Sequence, residues 1–261
     1  MASNDDGENV NVLKDDQIIN KEYEKKINSQ QKFCAEFLGT SFLVFVVTGI
    51  PLFSSIRQKL DKNFDHNAYN GAFEGALVLT SMIYMFGRIS GGHFNPAVTI
   101  PMYLRKKITF GECIYYIIAQ ITGGFFGSIL VTLCSQGNLD NLAPNTYEEY
   151  NSWSGVSCFV CEFVLTFILV SVIFASTVKK NNFGNLAGFI IGTTLYFLGI
   201  TGNNVSGASL NPARSIAPAI IMEFIGESQP IKQLWLYILG PICGGVAAGY
   251  VSKLFEWVIY Y

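Results

Sequence analysis

Asn95-Pro96-Ala97 returns in the second half of the chain as Asn211-Pro212-Ala213, and each copy stands in a long apolar stretch. A polar amide and a helix-breaking proline are both costly in such surroundings. The flanks return as well: Ser90-Gly91-Gly92-His93-Phe94 leads into the first copy and Ser206-Gly207-Ala208-Ser209-Leu210 into the second. The chain therefore consists of two related halves, each built around the same expensive feature.

Half of the residues are apolar, only 14% are charged and the mean hydropathy is +0.34, which excludes an ordinary soluble domain. A helix crossing a bilayer needs about 20 mostly apolar residues. Six stretches qualify, near 33–54, 71–89, 111–135, 155–178, 184–201 and 232–256. The apolar segments 95–104 and 211–222 are too short to cross and begin at the two Asn-Pro-Ala copies. They read as re-entrant half-helices.

Further positions match between the halves. Glu36 near the start of span one pairs with Glu162 near the start of span four, and Gly123 and Gly127 in span three pair with the set Gly240, Gly244, Gly245 and Gly249 in span six. Each half has three spans and one half-helix. Three is odd, so the second half runs through the membrane upside down, an inverted repeat with its site at the midplane. The expected fold is all-α, with a polar tail over 1–32, a channel domain over 33–256 (repeats about 33–135 and 155–256) and a short end at 257–261.

Basic residues favour the cytoplasmic side. With six spans and the amino end inside, Lys14, Lys21, Lys25, Lys26, Lys32, Arg105, Lys106, Lys107, Lys179, Lys180 and Lys253 fall inside; Arg57, Lys59, Lys62 and Lys232 fall outside. The connection 136–154 carries Asp140, Glu148 and Glu149 without Lys or Arg. Both termini are thus expected in the cytoplasm. A formal charge of −2 gives no footprint for nucleic acid. Ser3 and Ser29 in the tail are regulatory candidates, against the plainer reading of a solvated tail.

Asn followed by Pro opens a helix well: Asn is a favoured N-cap, and Pro suits the first helical position, where its missing N–H costs nothing. Asn95 and Asn211, with Pro96 and Pro212, should each start a half-helix, and each cap leaves its amide NH₂ free beyond the helix end. Each half-helix presents roughly +0.5 of an elementary charge there. A water whose oxygen accepts from both amides cannot also accept a proton from the next water in file, so neutral molecules pass while protons and cations do not. Glu36 and Glu162 are expected to accept backbone N–H groups of the loops before Asn95 and Asn211, turning those loops' carbonyls to the lumen.

Over about 33–256 the chain resembles the aquaporin family, the major intrinsic proteins, whose two signatures stand intact at Ser90–Val98 and Asn211–Ser215. The exclusion logic above is familiar from such pores. The resemblance implies a homotetramer with one pore per subunit. It also implies a four-residue filter, carried here by Gly75, Gly199, Ala208 and Arg214, with Phe73 or Glu74 as neighbours in register, and a lining role for His93, set against loop packing. Water-selective members hold an aromatic ring and an imidazole in that filter, and this chain holds neither. Ser215, Ala219, the short loop after 222 and Tyr237 point back to water, whereas Ile238 does not.

Two histidines, His93 and His66, lie too far apart in the fold for a metal site, and no cofactor is expected. Cys158 and Cys161 have CxxC spacing but sit in an apolar helix, and with Cys34, Cys113, Cys134 and Cys243 they read as buried free thiols. No grouping suggests an enzyme. The expectation is a passive channel for water, with glycerol-sized neutral solutes or glycerol selectivity as the alternative, in the plasma membrane or an intracellular vesicle or vacuole membrane. A secondary transporter and a closed junction protein are the competing classes. Gating by the tail or by the loop Lys179–Phe183 is a further expectation.

Overall fold

The computed structural model describes residues 27–63, 68–135, 142, 144–152, 154–178 and 184–258. Most of the expected tail with Ser3, the loop 179–183, His66 and the last three residues lie outside that set.

Among the described residues eight α-helices follow in order: α1 Ser29–Leu60, α2 Ala68–Ser90, α3 Pro96–Leu104, α4 Phe110–Cys134, α5 Ser154–Ile173, α6 Ala187–Ser206, α7 Pro212–Phe224 and α8 Gln229–Val258. A π-turn, Phe174–Val178, ends α5, and a 3₁₀ turn, Gly184–Leu186, precedes α6. Six of these elements are long and apolar enough to cross a membrane, and α3 and α7 are the two short ones. The first span starts at Ser29, inside the stretch expected to be tail, because Asn28 and Gln31 form a reciprocal capping box that starts the helix there. The same span runs on to Leu60, so Arg57 and Lys59 belong to its last turn rather than to a loop.

The molecule is inside-out. Leu77, Met85, Ile118, Phe126, Val160, Ile168, Phe197 and Leu239 are exposed, while Glu36, Thr40, Gln120, Ser128, Glu162 and Thr166 are completely buried. A lipid-facing surface and a polar interior are what a channel-like bundle requires.

Packing follows the repeat. Helix α1 lies along α4 and α5 along α8, and each half-helix lies against the last span of the other half, α3 on α8 and α7 on α4. Glycines make these approaches possible, although the pairing is closer than the set expected from sequence. It is Gly123-Gly124 that corresponds to Gly244-Gly245. A Cβ on Gly123 would sit 2.4 Å from the Phe37 carbonyl oxygen, and one on Gly244 would sit 2.2 Å from that of Phe163. A Cβ on Gly124 would sit 2.6 Å from the Ala213 oxygen, and one on Gly245 would sit 2.1 Å from that of Ala97. One glycine of each pair thus admits its own half's first span and the next admits the opposite half-helix.

The thiols depart from expectation. Cys113 and Cys158 are buried and Cys161 partly so, but Cys34, Cys134 and Cys243 are exposed on the outer faces of their helices, and all are free.

Candidate pore

Each half-helix begins as its sequence dictates. Asn95 and Asn211 are extended, and their Oδ1 atoms accept the backbone N–H of Ala97 at 2.8 Å and of Ala213 at 3.0 Å, with Pro96 and Pro212 in the first turn. The amides are not free, however. Asn95 Nδ2 donates to the Leu210 carbonyl at 2.7 Å, and Asn211 Nδ2 donates to the Phe94 carbonyl at 2.9 Å. Phe94 and Leu210 have φ of 50° and 55°, a left-handed kink immediately before each cap that turns these carbonyls across the two-fold relation. An amide NH₂ has two hydrogens. One is spent on the opposite loop, and one is left for the lumen.

The two buried glutamates hold the loops. Glu36 accepts from Ser90 Oγ at 2.6 Å, His93 N at 2.9 Å, Phe94 N at 2.7 Å and Gln120 Nε2 at 2.8 Å. Glu162 accepts from Ser206 Oγ at 2.7 Å, Ser209 N at 2.9 Å and Leu210 N at 2.8 Å. Three backbone or hydroxyl donors match position for position between the halves. Gln120 has no counterpart, since α8 carries Pro241 at the matching place.

A cavity of about 570 Å³ runs past both half-helix starts. Gly75, Gly199, Ala208 and Arg214 line it together, and so do His93, Asn95 and Asn211. All seven residues expected at the pore line this one cavity, while Glu36, Glu162, Pro96 and Pro212 are not among its lining residues. Phe73 does not reach the lumen: it is half-exposed and meets Tyr196 edge-on. His93 Nδ1 shares a 3.1 Å bond with Thr99 Oγ1, and its ring meets Tyr116 edge-on, with Tyr116 OH held by the Ser90 carbonyl. Lining and packing therefore coexist in His93. At one mouth Lys32 and Glu112 form a 2.6 Å ion pair joining α1 to α4, and Arg88 and Lys107 line the same end.

Sequence reasoning missed Asn145. It lies in the connection between the halves, 4% exposed, and its Oδ1 accepts from Arg214 Nη1 in a short bond and from Ser215 Oγ at 2.8 Å. Nothing in the polar run 140–151 singles it out.

The description of the major intrinsic protein family matches residues 23–252. The chain belongs to that family. Among its relatives, the glycerol uptake facilitator protein-like 6 of Lactiplantibacillus plantarum is 39% identical over 86% of this chain and 97% of its own length. Nodulin-26 of Glycine max is 34% identical over 87% and 78%. An aquaglyceroporin of known structure from Plasmodium falciparum superposes with a TM-score of 0.76 over 87% of this chain and 97% of that one, at 23% identity, which speaks for the fold. This major intrinsic protein is a passive membrane channel and not an enzyme.

Proposed function

We propose that the channel conducts water and glycerol-sized neutral solutes down their gradients and excludes protons and ions. The observation that carries this reading is the make-up of the cavity lining: the four residues expected to form the filter all line it, and beside Arg214 they are Gly75, Gly199 and Ala208, residues with almost no side chain. Without ring walls the passage accommodates a carbon backbone, and the name of the 39% identical relative supports the same class. Exclusion of charge follows from the two half-helix amino ends and from the single lumenal N–H that each Asn retains.

The positions of Lys32, Arg105, Lys106, Lys107 and Lys253 support a reading with both termini in the cytoplasm. The broad apolar outer faces and the family support assembly as a homotetramer with a pore in each subunit.

The test is stopped-flow light scattering of proteoliposomes under an impermeant osmolyte and then a glycerol gradient, comparing wild type with Gly75→Phe. A Cβ at Gly75 meets only Val47, at 3.5 Å, so the larger side chain has room at its root. Wild type should pass both solutes, and Gly75→Phe should cut glycerol entry about tenfold relative to water. Water flux without glycerol entry in wild type would reduce the protein to a water channel, and absence of both would leave a closed junction protein.

A further inference from the structure

Among the four expected filter residues that line the cavity, Arg214 is the charged one, and a guanidinium selects by where its planar set of donors is aimed. Gly75, Gly199 and Ala208, which line the same cavity, present no ring or polar side chain to clamp it. Its aim must be set from outside the four residues.

Asn145 meets that need. Its Oδ1 receives Arg214 Nη1 and Ser215 Oγ together, and its Nδ2 reaches the Gly207 carbonyl at 3.4 Å, in the loop that carries Ala208. Ser215 Oγ is in turn in short contact with Ser209 Oγ, a lumen-lining residue. A hydroxyl has one hydrogen. With that of Ser215 given to Asn145, Ser209 donates, and the chain of donors ends on a single oxygen. The segment bearing Asn145 is itself pinned: Gln233 of α8, buried, accepts from Tyr147 N at 3.0 Å and donates to Tyr147 O at 3.2 Å, holding the backbone of one residue through both its N–H and its carbonyl. Among the described residues the first half shows no equivalent. Val98 stands where Arg214 does, and Thr99, matching Ser215, receives from Gln120 of its own half.

We infer that Asn145, in the connection between the two repeats, is a positioning residue that helps to aim Arg214 and thereby tunes which solutes the constriction admits. The inference rests on the constriction proposed above. Losing an acceptor for a charged donor shifts the donor's preferred arrangement by about tenfold or more. Asn145→Ala should therefore relax solute discrimination, whereas Asn145→Asp keeps the receiving oxygen and should preserve it.

The experiment measures the permeability of glycerol and of a five-carbon polyol relative to water in proteoliposomes of wild type, Asn145→Ala, Asn145→Asp and Gln233→Ala, at equal reconstituted protein. The expected result is a rise of roughly threefold or more in the polyol-to-glycerol ratio for Asn145→Ala, a smaller rise for Gln233→Ala and a wild-type ratio for Asn145→Asp. An unchanged ratio in Asn145→Ala beside an active wild type overturns the inference, as does an equal change in Asn145→Asp. A variant that merely folds poorly lowers all fluxes together and leaves the ratio where it was, which also counts against the positioning role. Silence from wild type would instead refute the channel reading on which the inference rests.

Discussion

Single residues do the expensive work in this channel, and Glu36 and Glu162 are the clearest case. Each carboxylate is completely buried and sits among donors from one re-entrant loop. Replacing the acceptor strands several buried N–H groups at once. Each buried donor left without an acceptor typically costs about 1–3 kcal/mol, so that several together are a large share of a protein's net stability. Glu162→Ala should therefore lower the yield of monodisperse protein and, in what survives, the water flux per channel. Wild-type yield and flux together would show that the loop holds its shape unaided. Sequence alone identified these glutamates because a matched pair of ionisable groups inside apolar spans demands an explanation. It could not identify Asn145, whose importance comes from tertiary position: an Asn in a polar connection resembles every other Asn there until the chain brings it to Arg214.

At the level of elements, the decisive contacts are those between a half-helix and the last span of the other half. Gly245 shows how tight they are. A methyl group there would lie 2.1 Å from the Ala97 backbone oxygen, so something must move. Gly245→Ala should displace α3 by the better part of an ångström and cut flux at least several-fold, readable by stopped flow and by a lowered melting temperature. Gly111→Ala, in the first turn of α4, meets nothing within 4 Å and is the matched control; equal behaviour of the two variants would refute the packing argument. The elements themselves were largely legible, since apolar length marks spans and Asn-Pro marks half-helix starts. Helix ends were less so. The capping box at Asn28 lies in a polar stretch, where hydropathy is silent and only the reciprocal bond with Gln31 fixes the start. The exposed positions of Cys34, Cys134 and Cys243 were misread because an apolar helix shows little difference between its lipid face and its packed face.

Across the whole molecule, the charge pattern supports the orientation proposed above. On that proposal Lys106, at the turn after α3, lies at the cytoplasmic end, and Asn63, after α1, at the opposite one. With Cys34, Cys134 and Cys243 replaced by serine, a new cysteine at Lys106 should react with an impermeant maleimide only from the cytoplasmic side, and one at Asn63 only from outside. The reverse labelling would overturn the assigned topology.

The crossed bonds at the midplane carry a consequence for how the protein comes into being. Asn95 donates to Leu210 and Asn211 to Phe94, so the amide that completes the first half is satisfied by a residue synthesised more than a hundred positions later. While the ribosome has delivered only the first three spans, that donor has no backbone partner in an environment without water to replace it. The groove on α4 that receives α7 at Gly124 is likewise unfilled. The early chain thus waits in the membrane with an unfinished centre, and the arrival of the second repeat closes both loops in one event. A selective midplane and a completed fold are the same state, so a half-made protein has no orderly way to leak.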